Sequence, residues 1–127
     1  MDKFTLIIGL SYGALAVIFG AFGAHYLKSK LTPQALQSFE TGVKYQFYHA
    51  LFLLIIGFNA TAIGENIQLI ATVTAIGVLL FSFSIYGLVL SDMNGKKIKI
   101  LGPITPLGGL CLIGGWGILL LSITGIL

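Results

Sequence analysis

Two histidines stand in a chain of 127 residues, and each sits where polar groups are rare. His25 ends the apolar stretch GAFGAHYLK (residues 20–28), and His49 lies inside KYQFYHALFLL (residues 44–54). A pair of imidazoles can ligate haem or a metal ion, and a single one can act as a base. Two ligands without flanking Cys or a third His are a thin metal or haem signature. No serine or carboxylate stands at a spacing that selects it as a catalytic partner for His49. Tyr45 precedes His49 by four residues and shares its helix face. Glu40, Gln46 and Thr105 are the nearest other polar candidates, and Asp92 and Asn94 follow the third apolar run. Without an assembled catalytic set, binding is the favoured chemistry. A membrane-embedded enzyme, or a haem or metal carrier using His25 and His49, is the alternative.

The elements that must position these residues follow from composition. The chain is 57% hydrophobic and 9% charged, with a mean hydropathy of +1.01, a balance that a water-exposed surface of this size does not sustain. Lipid is the expected solvent. Four runs, 4–24, 45–63, 67–90 and 105–127, lack Asp, Glu, Lys and Arg. Each is near the roughly 20 residues that a helix needs to cross about 30 Å of hydrocarbon. Continuous apolarity favours helices over the alternation of a membrane barrel. The first run is too long for a signal-peptide core with AFGA as its cleavage site. The expectation is a single all-α domain, a four-helix up-down-up-down membrane bundle.

Lysines orient it. Six of the seven (Lys28, Lys30, Lys44, Lys96, Lys97, Lys99) fall in the first and third connections, which are therefore expected on the cytoplasmic side of the membrane, with both termini outside. The short second connection around Glu65 carries no cation. The net charge of +3 reads as this sidedness and as attraction to anionic lipid, not as a nucleic-acid surface. The lone Cys111 excludes an internal disulfide and any CxxC site.

Two connections have structure of their own. Thr32-Pro33 is a helix start, and Leu36, Phe39 and Val43 recur at helical spacing, giving a short amphipathic segment over 33–43 that Gly42 weakens without necessarily ending. Asn94-Gly95 signals a turn, Gly102-Pro103 a stop, and Thr105-Pro106 a second helix start. Gly9, Gly13, Ala16, Gly20 and Ala24 share a face of the first span, a seam for close helix packing within the chain or in a homo-oligomer.

Folded in this way, the chain gathers its polar residues at the cytoplasmic end: His25, Glu40, Tyr45, Gln46, His49, Asp92, Asn94 and Thr105. If the fourth span begins at Thr105, its free amides, left unobstructed by Gly108 and Gly109, can hold the phosphate of an anionic lipid, with Lys28, Lys44, Lys96, Lys97 and Lys99 around it. The competing expectation is that Thr105 caps those amides and the lysines only set topology.

The motifs GAFGAHYLK, FETGVKYQFYHALFLL and GPITPLGGLCLIGGW, in this order, resemble the domain-of-unknown-function family numbered 423, which includes homologues of eukaryotic transmembrane protein 256. The likeness covers nearly the whole chain. It implies a four-span bacterial inner-membrane protein and brings no activity with it. Its pattern matches Gly20, Gly23, Ala24 and His25; then Phe39, Thr41, Gly42, Tyr45 and His49; then Gly102, Pro103, Thr105, Pro106, Gly108 and Gly109. Tyr26 stands where that pattern has glycine. The combined expectation is a small lipid- or partner-binding, membrane-organising protein with membrane lipids as partners, using no cofactor or metal and binding no nucleic acid.

Overall fold

The computed structural model describes all 127 residues, and the chain is helical between short turns. Helix α1 (Lys3–His25) begins at Asp2, whose carboxylate accepts the Thr5 amide and hydroxyl. Helix α2 (Pro33–Phe58) begins at Thr32, whose hydroxyl accepts the Ala35 amide at 3.2 Å. A short α3 (Ala60–Ile63) and a 3-10 turn (Gly64–Asn66) reverse the chain. Gly64 supplies the positive φ of 82° that the reversal requires. Helix α4 (Ile67–Val78) passes through a π turn (Leu79–Phe83) into α5 (Ser84–Met93), and α6 (Leu101–Ile123) completes the chain. Three helical stretches are long and apolar enough to cross a membrane: Lys3–His25, Ala60–Met93 and Leu101–Ile123. Helix α2 is 26 residues long, but its first half carries Gln34, Gln37, Glu40 and Lys44.

Two expected boundaries move. The amphipathic segment 33–43 is the first part of α2, not a separate helix. Gly42 lies inside it, buried, with the Tyr86 ring against the place a side chain would occupy. The last helix starts four residues before Thr105, at Leu101, with no side-chain cap. Gly102-Pro103 does not stop the chain, because a proline in the first turn forfeits an amide that has no intrahelical partner anyway. Pro106 lies within the helix.

The long segments alternate in direction. On the α1–α2 seam, Gly9 meets Ala50 and Leu53, Gly20 meets Val43 and Gly23 meets Phe39, an antiparallel register that spends most of the small-residue face of α1 inside the chain. Gly9, Ala16 and Gly23 are buried there, Gly13 and Gly20 are half-buried, and Ala24 stays exposed. The π turn is the meeting point of three helices. Ser82 donates to the Gly42 carbonyl of α2 (2.7 Å), while Gly108 of α6 lies directly on the backbone of Leu80 and Phe81. Around it the core collects Leu53, Ile56, Ile70, Ala71, Val78 and Leu112.

The end of the molecule opposite the lysines is pinned by Asp2. Its amide donates to the Gly57 carbonyl at the end of α2, and Gln68 at the start of α4 donates to its second carboxylate oxygen, at 2.6 Å. The Thr5 hydroxyl and amide, and then Gln68, hold the Asp2 carboxyl below its ordinary range. Because the folded-state value is depressed, this stabilisation is complete above the unfolded value of about 3.9 and is lost as pH falls through the lower folded value. Asp2→Ala is expected to cost about 1 kcal/mol, as for other N-caps. Unfolding curves in detergent at pH 7 and pH 3 check it: the gap between parent and variant should narrow at the lower pH.

Candidate functional site

His49 is buried on the side of α2 that faces α6, and both of its nitrogens are engaged. A backbone carbonyl only accepts and an indole N–H only donates. With Nδ1 at 2.7 Å from the Tyr45 carbonyl and Trp116 Nε1 at 3.1 Å from Nε2, His49 is the neutral tautomer with its proton on Nδ1. Phe52 packs on Trp116 with ring centroids 4.3 Å apart. This arrangement ties α6 to α2 and leaves no free ring nitrogen.

Gln46, one turn before, is fully buried. Its amide donates to the Tyr12 carbonyl of α1 at 2.9 Å and its oxygen accepts the Tyr86 hydroxyl of α5 at 2.7 Å. Tyr12 in turn donates to the Ala75 carbonyl of α4 at 2.8 Å. These groups form a satisfied network joining α1, α2, α4 and α5. Each hydrogen bond replaces one that lipid cannot supply.

The sequence-derived cluster around two histidines is not formed. Gly13 of α1 is level with Ala50, so His49 lies about twelve residues, roughly 18 Å along the helix axis, from the level of His25. His25 is exposed at the end of α1. The physical reason is the length of α2: it starts at Pro33 rather than Tyr45, which sets His49 about 24 Å into the helix instead of one turn. Gln46 and His49 are thus structural ties, and Tyr45 contributes its carbonyl while its ring stays exposed.

The helix-start anion site over Thr105, Gly108 and Gly109 is also not formed. These residues lie inside α6, past the orphan amides of its first turn. Gly108 is packed on the π-turn backbone, and Gly109 faces the Phe81 ring. The Thr105 hydroxyl is 2.6 Å from that of Ser84 and donates weakly to the Leu101 carbonyl. The lysines separate as well. Lys44 shares a shallow hollow with Glu40 beside α1, Lys28 lies in a 3-10 turn (Leu27–Ser29), and Lys96 belongs to the turn after α5.

What the structure does build at the lysine-rich end is a cavity of about 660 Å³ between the first turns of α2, the end of α5 and the start of α6. Ser38 and Thr41 line one wall, and Lys97, Lys99 and Asp92 stand about its mouth. Ile85, Leu88 and Val89 of α5 make it apolar below, and Gly102 and Thr105 of α6 close the far side. Local structure positions each group. The expected Asn94-Gly95 turn is present, with Gly95 at φ 80°. The Lys96 amide returns to the Ser91 carbonyl, and the Ser91 hydroxyl accepts the Ile98 amide at 3.0 Å. The loop carrying Lys97 and Lys99 is thereby folded back over α5. A cavity of this size, apolar below and polar at the rim, suits one end of an amphiphile.

Of the residues expected at this end from the sequence, Asp92, Thr105, Lys97 and Lys99 belong to the cavity; His25, Glu40, Tyr45, Gln46, His49, Asn94, Lys28, Lys44 and Lys96 do not line it. Ser38 and Thr41 were the members not expected at a site, Thr41 having been named only as part of the family pattern. Their three-residue spacing on one helix face was the available signal.

The family described as Protein of unknown function (DUF423) matches residues 19–109. Over 120 residues the chain is 40% identical to the UPF0382 membrane protein SH2409 of Staphylococcus haemolyticus, covering 94% of each chain. It is likewise 40% identical over 120 residues to the UPF0382 membrane protein YwdK of Bacillus subtilis, covering 90% of each. No solved structure matches.

Proposed function

Given that the chain belongs to the DUF423 family, whose relatives are named membrane proteins, we propose that it is a small phospholipid-binding membrane protein that holds a headgroup in the cavity between α2, α5 and α6. The observation that carries this reading is the joint lining of one 660 Å³ cavity by two lysines, three hydroxyl side chains and an apolar floor. The lysine-rich end is the cytoplasmic end in this reading, with α2 the fourth crossing of a bacterial plasma membrane and both termini outside. An impermeant thiol reagent applied to intact cells should label a cysteine placed at Glu65 and spare one placed at Lys30; labelling at Lys30 overturns the orientation.

Binding is favoured over catalysis because His49, Gln46, Tyr12 and Tyr86 are committed to hydrogen bonds within the protein, the Thr74 hydroxyl being the one buried side-chain atom without a partner. His49 would have to give up Trp116 or Tyr45 before it could act as a base or ligand. Two lysines near a membrane surface contribute about 1 kcal/mol each towards an anionic phosphate group. Replacing both Lys97 and Lys99 with glutamine should therefore lower phospholipid retention by roughly tenfold or more. Native mass spectrometry of protein extracted gently from its membrane measures this, with Lys28→Gln as the control outside the cavity. Equal retention by the double variant and the parent sinks the proposal.

A further inference from the structure

The cavity carries more than a phosphate requires. Lys97 and Lys99 suit a phosphodiester, but Asp92 lines the same space and repels one. A second acceptor is on offer. Gly102 also lines the cavity, and its carbonyl would ordinarily receive the amide of residue 106, which is proline and has no N–H. Two cations and two acceptors around one space describe a ligand with a phosphate and a hydrogen-bond-donating cation close together.

We propose that the headgroup held here is that of an aminophospholipid, its phosphate against Lys97 and Lys99 and its primary ammonium against the Asp92 carboxylate and the Gly102 carbonyl. The inference rests on the headgroup reading given above and makes Asp92 the residue that selects among headgroups. The apolar floor of Ile85, Leu88 and Val89 commits the site to a lipid rather than a free phosphoamine, because a ligand without acyl chains would leave that floor uncovered.

The test uses full-length protein in nanodiscs of equal phosphatidylethanolamine and phosphatidylglycerol, with bound lipids counted by native mass spectrometry after release. The parent should retain phosphatidylethanolamine in preference. Asp92→Asn should shift the bound ratio towards phosphatidylglycerol by about three- to fivefold, the range of one partly exposed ion pair, and Asp92→Glu should restore the preference, which separates selection from misfolding. An unchanged ratio in Asp92→Asn, while the Lys97→Gln/Lys99→Gln double variant loses both lipids, overturns the aminophospholipid assignment and leaves headgroup binding intact. No loss in the double variant overturns both. Displacement of the bound lipid by millimolar soluble phosphoethanolamine overturns the choice of a lipid as the occupant.

Discussion

Gly108→Ala should destabilise the protein by about 3 kcal/mol, the upper end of what overpacking usually costs. A Cβ at this position would collide with the Phe81 amide nitrogen and lie 2.5 Å from the Leu80 carbonyl carbon. Backbone atoms cannot rotate away as a side chain can, so either α6 must lift or the π turn must rewind. Lifting α6 also pulls Thr105 from Ser84 and Trp116 from His49. Gly117→Ala is the internal control, since nothing lies within 4 Å of its added methyl group; it should be neutral or slightly stabilising, as glycine is a poor helix former. Heat- or SDS-induced unfolding in detergent reads both. Equal stability of the two variants would mean that α6 does not rest on the π turn.

Gln46→Leu has the next largest expected effect, about 2 kcal/mol. The substitution nearly preserves volume but strands the Tyr86 hydroxyl and removes the donor to the Tyr12 carbonyl, in an interior where water is not available to replace either. The membrane setting moderates the figure, because the unfolded helices also find partners for their polar groups. Tyr86→Phe removes one of the two bonds without leaving a buried donor, and should cost about half as much. The same unfolding assay separates them. A Gln46→Leu protein as stable as the parent would show that this network fixes helix positions without adding stability.

The all-α architecture and the chain's place in a membrane were readable in the sequence, because four uncharged runs near membrane length admit few alternatives. Capping at Thr32 and the turn at Asn94-Gly95 were also readable, since each is encoded by adjacent residues. The start of α6 was not. Thr105-Pro106 and Gly102-Pro103 carry the same punctuation, and nothing local says that the first proline opens the helix while the second sits harmlessly in its interior. The continuity of α2 had a similar ambiguity at Gly42, which was resolved by Ser82 and Tyr86 from 40 and more residues away.

The candidate site was legible in part, for the same reason. Lysine placement pointed to the end of the molecule where the cavity lies, but which lysines share a space depends on how the loop after α5 folds back over it. His49 looked functional because an imidazole in an apolar helix needs a partner; its actual partner, Trp116, lies 67 residues on and had no spacing to announce it. The Asp2 pin at the opposite end was invisible for a like reason, since it joins residues 2, 57 and 68. The π turn Leu79–Phe83, against which Gly42 and Gly108 both pack, carries no sequence mark at all.

A lipid phosphate between Lys97 and Lys99 in the α2–α5–α6 cavity is what the proposed function requires. Solid-state NMR on protein with 15N-labelled lysines in phospholipid bilayers tests it most directly, through dephasing of the assigned side-chain 15N signals by 31P. Marked dephasing is expected at Lys97 and Lys99 together, retained after washing and weaker at Lys28 and Lys44. Dephasing that is uniform across all four lysines, or absent at Lys97 and Lys99, would contradict it and leave these residues as markers of membrane sidedness alone.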